Sequence, residues 1–412
     1  MTDDRRQRHL VDLDNRRTEL AGELFETLAE MQTRCPVAWS EASGGFWALL
    51  KHADIVTASA DWETFTVTDG IMIPPTGKSM PVIPAELDPP RHGAFRRLVL
   101  PHFTPKALGP WEADIRRIVA DGFAPLAERG RADLVTEFAR PVPVLVICRV
   151  LGIRSDWERI HDLGEEFMAA FADTDHPERG KAAAERLEAF LAEEIRVRRG
   201  RPAQDLLGQL VNAEIDGEPL SDTEALGLVQ LLVVAGHGTT VDGIGTMVYR
   251  LITEPGVRDK LLTDPSLVPR MIDECLRLHP PVWNMARTVR RETTLRDAEL
   301  CPGEKVMLAF GAANYDPEKF ADPFAFDLDR LGLTQHLTFG SGRHRCLGEG
   351  LARLELRTVL EYLLEELPPL ELDGPVVWGG HTNSHGLRSL PVRVTDAGRK
   401  PVRARTPGDA DV

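Results

Sequence analysis

The stretch from Ser221 to Thr253 restricts the fold more than any other part of this 412-residue chain. Ser221-Asp222-Thr223-Glu224 is a capping-box pattern, in which a serine hydroxyl and a glutamate three residues later satisfy backbone N–H groups at a helix start. Apolar residues then dominate until Glu254-Pro255, where the proline disfavours helical geometry in the residue before it. At about 1.5 Å per residue the helix would be roughly 48 Å long, enough to cross a whole protein. It also carries Gly227, Gly236, Gly238, Gly243 and Gly245, each costing about 1 kcal/mol relative to alanine in a helix interior. Close helix packing accounts for the outer glycines. Ala235-Gly236-His237-Gly238-Thr239-Thr240 instead opens one face of the helix, and a threonine hydroxyl there can loosen a backbone bond and pass protons.

A second stretch carries the chemistry. Phe339-Gly340-Ser341-Gly342-Arg343-His344-Arg345-Cys346-Leu347-Gly348 holds one cysteine in a glycine-punctuated loop. A helix follows, in which Leu351, Leu354, Val359, Leu360, Leu363, Leu364 and Leu367 form one buried face. Arg343, His344, Arg345 and the helix N-terminus are expected to stabilise the Cys346 thiolate. Gly340, Gly342 and Gly348 let the backbone approach something large and flat. Read alone, this is a reactive or buried cysteine after a turn. The full pattern resembles the haem-ligand loop of the cytochrome P-450 family, F-G-x-G-x-H-x-C-x-G, at every fixed position. That resemblance makes Cys346 the axial thiolate to iron, with Phe339 and Gly348 beside the haem and His344 on a haem propionate.

The central helix is similar to the same family's A-G-x-(D/E)-T-(T), with Ala235 and Gly236 against the cofactor and Thr239 and Thr240 catalytic. The acid of that motif, implicated with the following threonine in proton delivery to dioxygen, is Gly238 here. Ordered water feeding Thr239 is the expected substitute. Asp242 one turn on, His237, or a supply of peroxide in place of dioxygen are the others. Glu274-Cys275-Leu276-Arg277 resembles the family's E-x-x-R, with Arg330 as its later partner in a structural network. Asp88-Pro89-Pro90-Arg91-His92 through Arg96 resembles a propionate-binding segment, which assigns His92 and Arg96 to that role, and Arg287 resembles a further propionate ligand.

The implied fold is mainly α with a minor β region, the cytochrome P-450 fold, its long oxygen-binding helix lying over the haem. Short strands are expected over about 36–56, 282–312 and 376–394. Residues 1–20 are expected to be a flexible N-terminus, 21–396 a single domain and 397–412 a disordered tail. The shortened Glu299-Leu300-Cys301-Pro302-Gly303 hairpin departs from the family's usual length.

With 49 basic against 64 acidic residues the chain carries −15, which argues against a nucleic-acid partner. Its first twenty residues are too charged for a leader, and the apolar run from Ala225 to Gly236 is too short to span a bilayer. Five cysteines without paired spacing fit a reducing cytoplasm. The resemblance implies a haem b monooxygenase that inserts one atom of dioxygen into a substrate. Electrons would come from a ferredoxin-type donor with its NAD(P)H-dependent reductase, docking on Arg343, Arg345 and Lys106 of a monomer. A peroxide-driven peroxygenase and a non-catalytic, gas-sensing haem protein are the alternatives. Candidate substrate contacts are Ile71, Met72, Phe167, Phe171, Leu231, Val234, Ala235, Trp283 and Met285, an apolar set that suits a small-to-medium neutral molecule. Strand alternation is expected to turn Trp283 and Met285 to the same side as Arg287.

Overall fold

A computed structural model describes residues 4–17, 21–75, 80–154, 157–172, 176–380 and 382–395. The capping box at Ser221 forms as its sequence dictates. The Ser221 hydroxyl accepts from the Glu224 N–H at 3.2 Å, and the Ser221 N–H donates to Glu224 Oε2 at 3.0 Å. The helix it opens is not continuous. It runs as Asp222–Ala235, breaks at Gly236-His237, and resumes as Gly238–Thr253. His237 has φ −112° and ψ −81°, outside the helical region, and the Thr239 hydroxyl donates to the Ala235 carbonyl at 3.0 Å. A side-chain donor thus takes a carbonyl at the break.

Seven helices frame the site: α1 (Arg91–Val99), α2 (Pro141–Leu151), α3 (Trp157–Ala172), α4 (Asp222–Ala235), α5 (Gly238–Thr253), α6 (Val268–Leu278) and α7 (Glu349–Glu365). α5 packs on α6 and α7, and the helix Glu112–Arg129 covers the other side of α7. Taken together, Asp222–Thr253 is long and apolar enough to cross a membrane, but 56% of its most apolar window is buried inside the protein, which marks a core helix. The glycines divide into two groups. A Cβ at Gly227 would lie 2.8 Å from the Pro81 carbonyl and one at Gly236 3.1 Å from Ile147, whereas one at Gly238 meets nothing nearer than 4.0 Å.

The minor β part is a five-stranded sheet of β1 (Val37–Ser40), β2 (Phe46–Leu49), β3 (Phe65–Thr66), β4 (Met285–Val289) and β5 (Lys305–Leu308), in the order β1-β2-β5-β4-β3. Only the β5–β2 pair is parallel. The extended region expected to reach residue 56 ends sooner, because His52–Ala60 is a helix. Smaller pairs join Thr293–Leu295 to Ala298–Leu300 and Val377–Gly379 to Gly386–Ser389.

Residues 4–17 depart from the expected loose N-terminus. Val11 N–H donates to the Trp39 carbonyl at 2.9 Å, Trp39 N–H donates to His9 at 2.7 Å, and Asn15 donates to Ile73 and Thr382 carbonyls at 2.6 and 3.1 Å. The edge of β1 offered unpaired backbone groups, and this segment satisfies them. The tail from Ala397 lies outside the described residues.

Candidate active site

The ligand loop is shaped by two backbone positions that only glycine adopts readily. Gly340 and Gly342 have φ of +70° and +67°, and a Cβ at Gly342 would stand 2.6 Å from the Ser59 carbonyl. Gly348 has an ordinary φ of −85°, and a Cβ there would face Cys346 Sγ at 3.9 Å. The loop closes on itself through the Cys346 N–H, which donates to the Phe339 carbonyl at 2.9 Å. Beneath it three buried side chains meet. Arg277 grips Glu274 with two nitrogens at 2.7 and 2.8 Å, and Arg330 Nε reaches Glu274 at 3.0 Å. Arg277 also donates to the carbonyls of Asn314, Pro323 and Ala325.

One cavity of about 270 Å³ collects His92, Arg96, Ala235, Gly236, Thr239, Thr240, Arg287, Phe339, His344, Cys346 and Gly348. The cysteine comes from the loop before α7, the threonines from the start of α5, and the basic side chains from α1, β4 and the loop. The His92 and His344 rings lie 4.2 Å apart. Burial pushes His92 down to about 4 and His344 to about 3, with neighbouring guanidinium groups adding to the effect. Burial also lowers Arg287 to about 10. Arg287 donates to the Ala286 carbonyl at 2.8 Å and Arg96 to the Arg345 carbonyl at 2.7 Å. Asp88, the acid that faces Arg287, is engaged by Arg290 at 3.0 Å and by the Thr66 hydroxyl at 2.5 Å.

Buried donors gathered this way call for an anion. His344 Nε2 is itself buried without a hydrogen-bond partner. The set therefore fits a haem: two carboxylates beside four basic side chains, and a soft sulfur ligand at the cavity floor. Desolvation by the surrounding protein raises the Cys346 thiol, and the Gly348 N–H, Arg96 and Arg345 oppose it; the side chain itself opens onto the cavity.

A second chamber of about 200 Å³ adjoins the first and shares Ile71, Leu231, Ala235, Thr239 and Met285 with it. Met72, Phe167 and Val234 also line it. Trp283 does not. Regular alternation begins only at Met285, and Trp283, 2% exposed, packs into the cluster of Leu13, Phe25 and Ala286 on the other side. The side chain of Phe171 lies outside the described residues.

Polar groups also enter this chamber: Asp242, weighed above as a substitute acid, stands among the apolar walls with Arg140, Glu165 and Arg388, which the sequence did not single out. Arg388 Nη1 is 3.5 Å from Asp242 Oδ1, and burial raises the Asp242 carboxyl to about 7. The only available signals were isolated charges within helical or strand patterns far apart in the chain. Glu355 on α7, lining the main cavity, was likewise unnoticed; burial raises its carboxyl well above the usual range. His237 is a poor stand-in for the missing acid. It is bonded to His161 at 2.7 Å and kept neutral by burial, at about 3. On the outer face, Arg345 is held by Glu349 at 2.7 and 2.8 Å, leaving Arg343 and Lys106 as the more exposed charges of the expected docking face.

The cytochrome P450 family profile matches residues 153–368. The chain is 33% identical over 381 residues to the steroid C26-monooxygenase of Mycobacterium tuberculosis, covering 89% of this chain and 95% of that protein. It is 38% identical over 314 residues to the mycinamicin IV hydroxylase/epoxidase of Micromonospora griseorubida, covering 74% and 78%. The crystal structure of CYP109E1 from Bacillus megaterium with testosterone superposes with a TM-score of 0.84 at 28% identity, over 92% of this chain and 99% of the other. With the ligand loop and these relatives in agreement, the chain belongs to the cytochrome P450 family and is a haem monooxygenase that uses dioxygen.

Proposed function

We propose that this chain is a cytoplasmic, monomeric haem b enzyme that oxidises a neutral, mostly apolar molecule with electrons from a ferredoxin-type donor and its NAD(P)H-dependent reductase. The observation that carries the reading is the single cavity into which Cys346, Thr239 and the four basic side chains all open. When bound, the haem supplies dioxygen activation and transfer of one oxygen atom to substrate. Cys346 would hold the iron through Sγ, giving up its proton as the metal binds. His92, Arg96, Arg287 and His344 would take the propionates, and the otherwise unpartnered His344 Nε2 is positioned to accept or donate there.

Thr239 donates its hydroxyl proton to the Ala235 carbonyl, so the oxygen's lone pairs remain free to accept a hydrogen bond from a donor in the chamber. Ile71, Met72, Phe167, Leu231, Val234 and Met285 would exclude water from the reacting carbon. The charged end of the chamber suits a polar substituent on that otherwise apolar substrate. Arg343 and Lys106 would meet the acidic donor. The peroxide-driven reading draws support only from Gly238.

The test is a spectral titration of the haem-loaded protein with testosterone and a set of neutral terpenoids. A low-spin to high-spin shift supports the reading, and Cys346→Ser should abolish the thiolate-type carbon monoxide band. Retention of that band in the variant would refute the assignment of Cys346. Full turnover with peroxide and none with dioxygen would replace the monooxygenase reading by the peroxygenase one.

A further inference from the structure

Position 238 lacks an acid, yet the space beside it does not. An ideal Cβ on Gly238 lies 4.0 Å from Glu165 Oε1, the nearest atom outside its own turn of helix. Glu165 arrives there because α3 is docked on the helix break through one face. His161, Gly164 and Glu165 are three and four residues apart and so share a side of the helix. His161 Nδ1 meets His237 Nε2 at 2.7 Å, and the absence of a side chain at Gly164 lets the His237 ring approach, its Nδ1 3.6 Å from where a Cβ would stand. That contact sets Glu165 over Gly238, on the chamber it shares with Thr239.

Asp242, the other nearby carboxyl, is less suited to the task. It is wedged against Gly386, where a Cβ would collide with it, and it faces Arg388. Glu165 is half-buried, with Arg140, Asp242 and Arg388 around the same chamber and the neutral His161–His237 pair behind it. A carboxyl group in that position can take a proton from solvent and release it into the chamber.

We propose that Glu165 supplies the carboxyl function missing at position 238 and passes solvent protons, through water, to the Thr239 hydroxyl. The proposal rests on the monooxygenase reading above. Glu165 acts through Thr239 and is a positioning and relay residue. Each proton it delivers is replaced from solvent, so the carboxyl group is unchanged over a cycle.

The experiment needs no identified substrate. Haem-loaded wild type, Glu165→Gln, Glu165→Asp and the double variant Glu165→Gln/Gly238→Glu are compared in NADPH-driven dioxygen consumption with a ferredoxin and its reductase, in H2O and D2O. Carbon monoxide difference spectra report the intact thiolate site independently of turnover. We expect Glu165→Gln to lower dioxygen consumption about tenfold and to enlarge the solvent isotope effect, with an unaltered carbon monoxide band. Glu165→Asp and the double variant should each recover at least a third of the rate, since position 238 has room for a side chain. An unchanged rate and isotope effect in Glu165→Gln would overturn the proposal. So would a shifted carbon monoxide band, which signals a structural role, or failure of both rescues. Loss of dioxygen consumption in the wild type itself would refute the monooxygenase reading and this one with it, whereas loss confined to Glu165→Gln leaves that reading standing.

Discussion

Removing the Arg277 side chain tests whether the buried network beneath the ligand loop holds the site as its geometry implies. Arg277 is fully buried, fixed to Glu274 by two bonds and to three carbonyls by three more. Its partner Asn314 extends the connection. Asn314 Oδ1 accepts from the Leu337 N–H at 2.7 Å and Asn314 Nδ2 donates to Thr338 Oγ1 at 3.0 Å, immediately before Phe339. Breaking a buried pair by deleting one partner costs about 3–5 kcal/mol, because the other charge stays behind unpaired. Glu274 would retain Arg330 and the Asp327 N–H at 3.0 Å, so Arg277→Ala should fall near the lower bound, about 3 kcal/mol. Arg277→Lys keeps the charge but not the planar fork, and should cost about 2 kcal/mol. Against a typical stability of about 5–15 kcal/mol, either loss is large. Urea unfolding of the haem-free protein by circular dichroism gives the number without the complication of cofactor release. The rate of haem transfer to an acceptor protein then reports the loop. A loss below about 1 kcal/mol for Arg277→Ala, or destabilisation with unaltered haem retention, would refute the coupling of this network to the ligand loop.

Three further perturbations probe the loop, the propionate set and the second chamber. Gly342→Ala combines a left-handed backbone with a collision against the Ser59 carbonyl; it should cost at least about 1–2 kcal/mol and lower the thermal unfolding midpoint, and a neutral effect would disprove that the loop is seated on the end of helix His52–Ala60. Arg287→Met should have opposite effects on two measurements, stabilising the haem-free protein by removing a buried charge while speeding haem loss; haem loss at the wild-type rate would remove Arg287 from the propionate set. Asp242 is raised by burial from 3.8 to about 7, so the native protein keeps a proton that the unfolded chain releases, and stability should fall as pH rises from about 4 to 7. The span corresponds to on the order of 4 kcal/mol; Asp242→Asn should flatten the slope of stability against pH in that window, and an unchanged slope would show the group is not held protonated.

Much of the site is legible in the sequence because its determinants are local. The left-handed turns at Gly340 and Gly342, the four-residue spacing of His92 and Arg96 on α1, the three-residue spacing of Glu274 and Arg277 on α6 and the Ser221 cap each depend on neighbours within one or two turns of chain. Periodicity read over such windows also separates the helical bulk from the few strands. Where a local rule was extended past its element it failed. Alternation does not reach Trp283 because β4 begins at Met285, and helical continuity fails at Gly236-His237, where Ile147 leaves no room for a Cβ on Gly236 and His237 is bonded to His161.

The remaining features belong to tertiary structure alone. Residues 4–17 are ordered by the free edge of β1, and nothing within their own sequence foretells it. The charged end of the second chamber assembles from Arg140, Glu165, Asp242 and Arg388, which separate segments bring together. A carboxyl group facing Gly238 from another helix leaves no local signature, since chain proximity governs backbone geometry while through-space packing governs where charges meet. The sequence by itself determined the ligand loop, the family and the helical class; packing of α3 on the helix break decided which acid stands over Gly238.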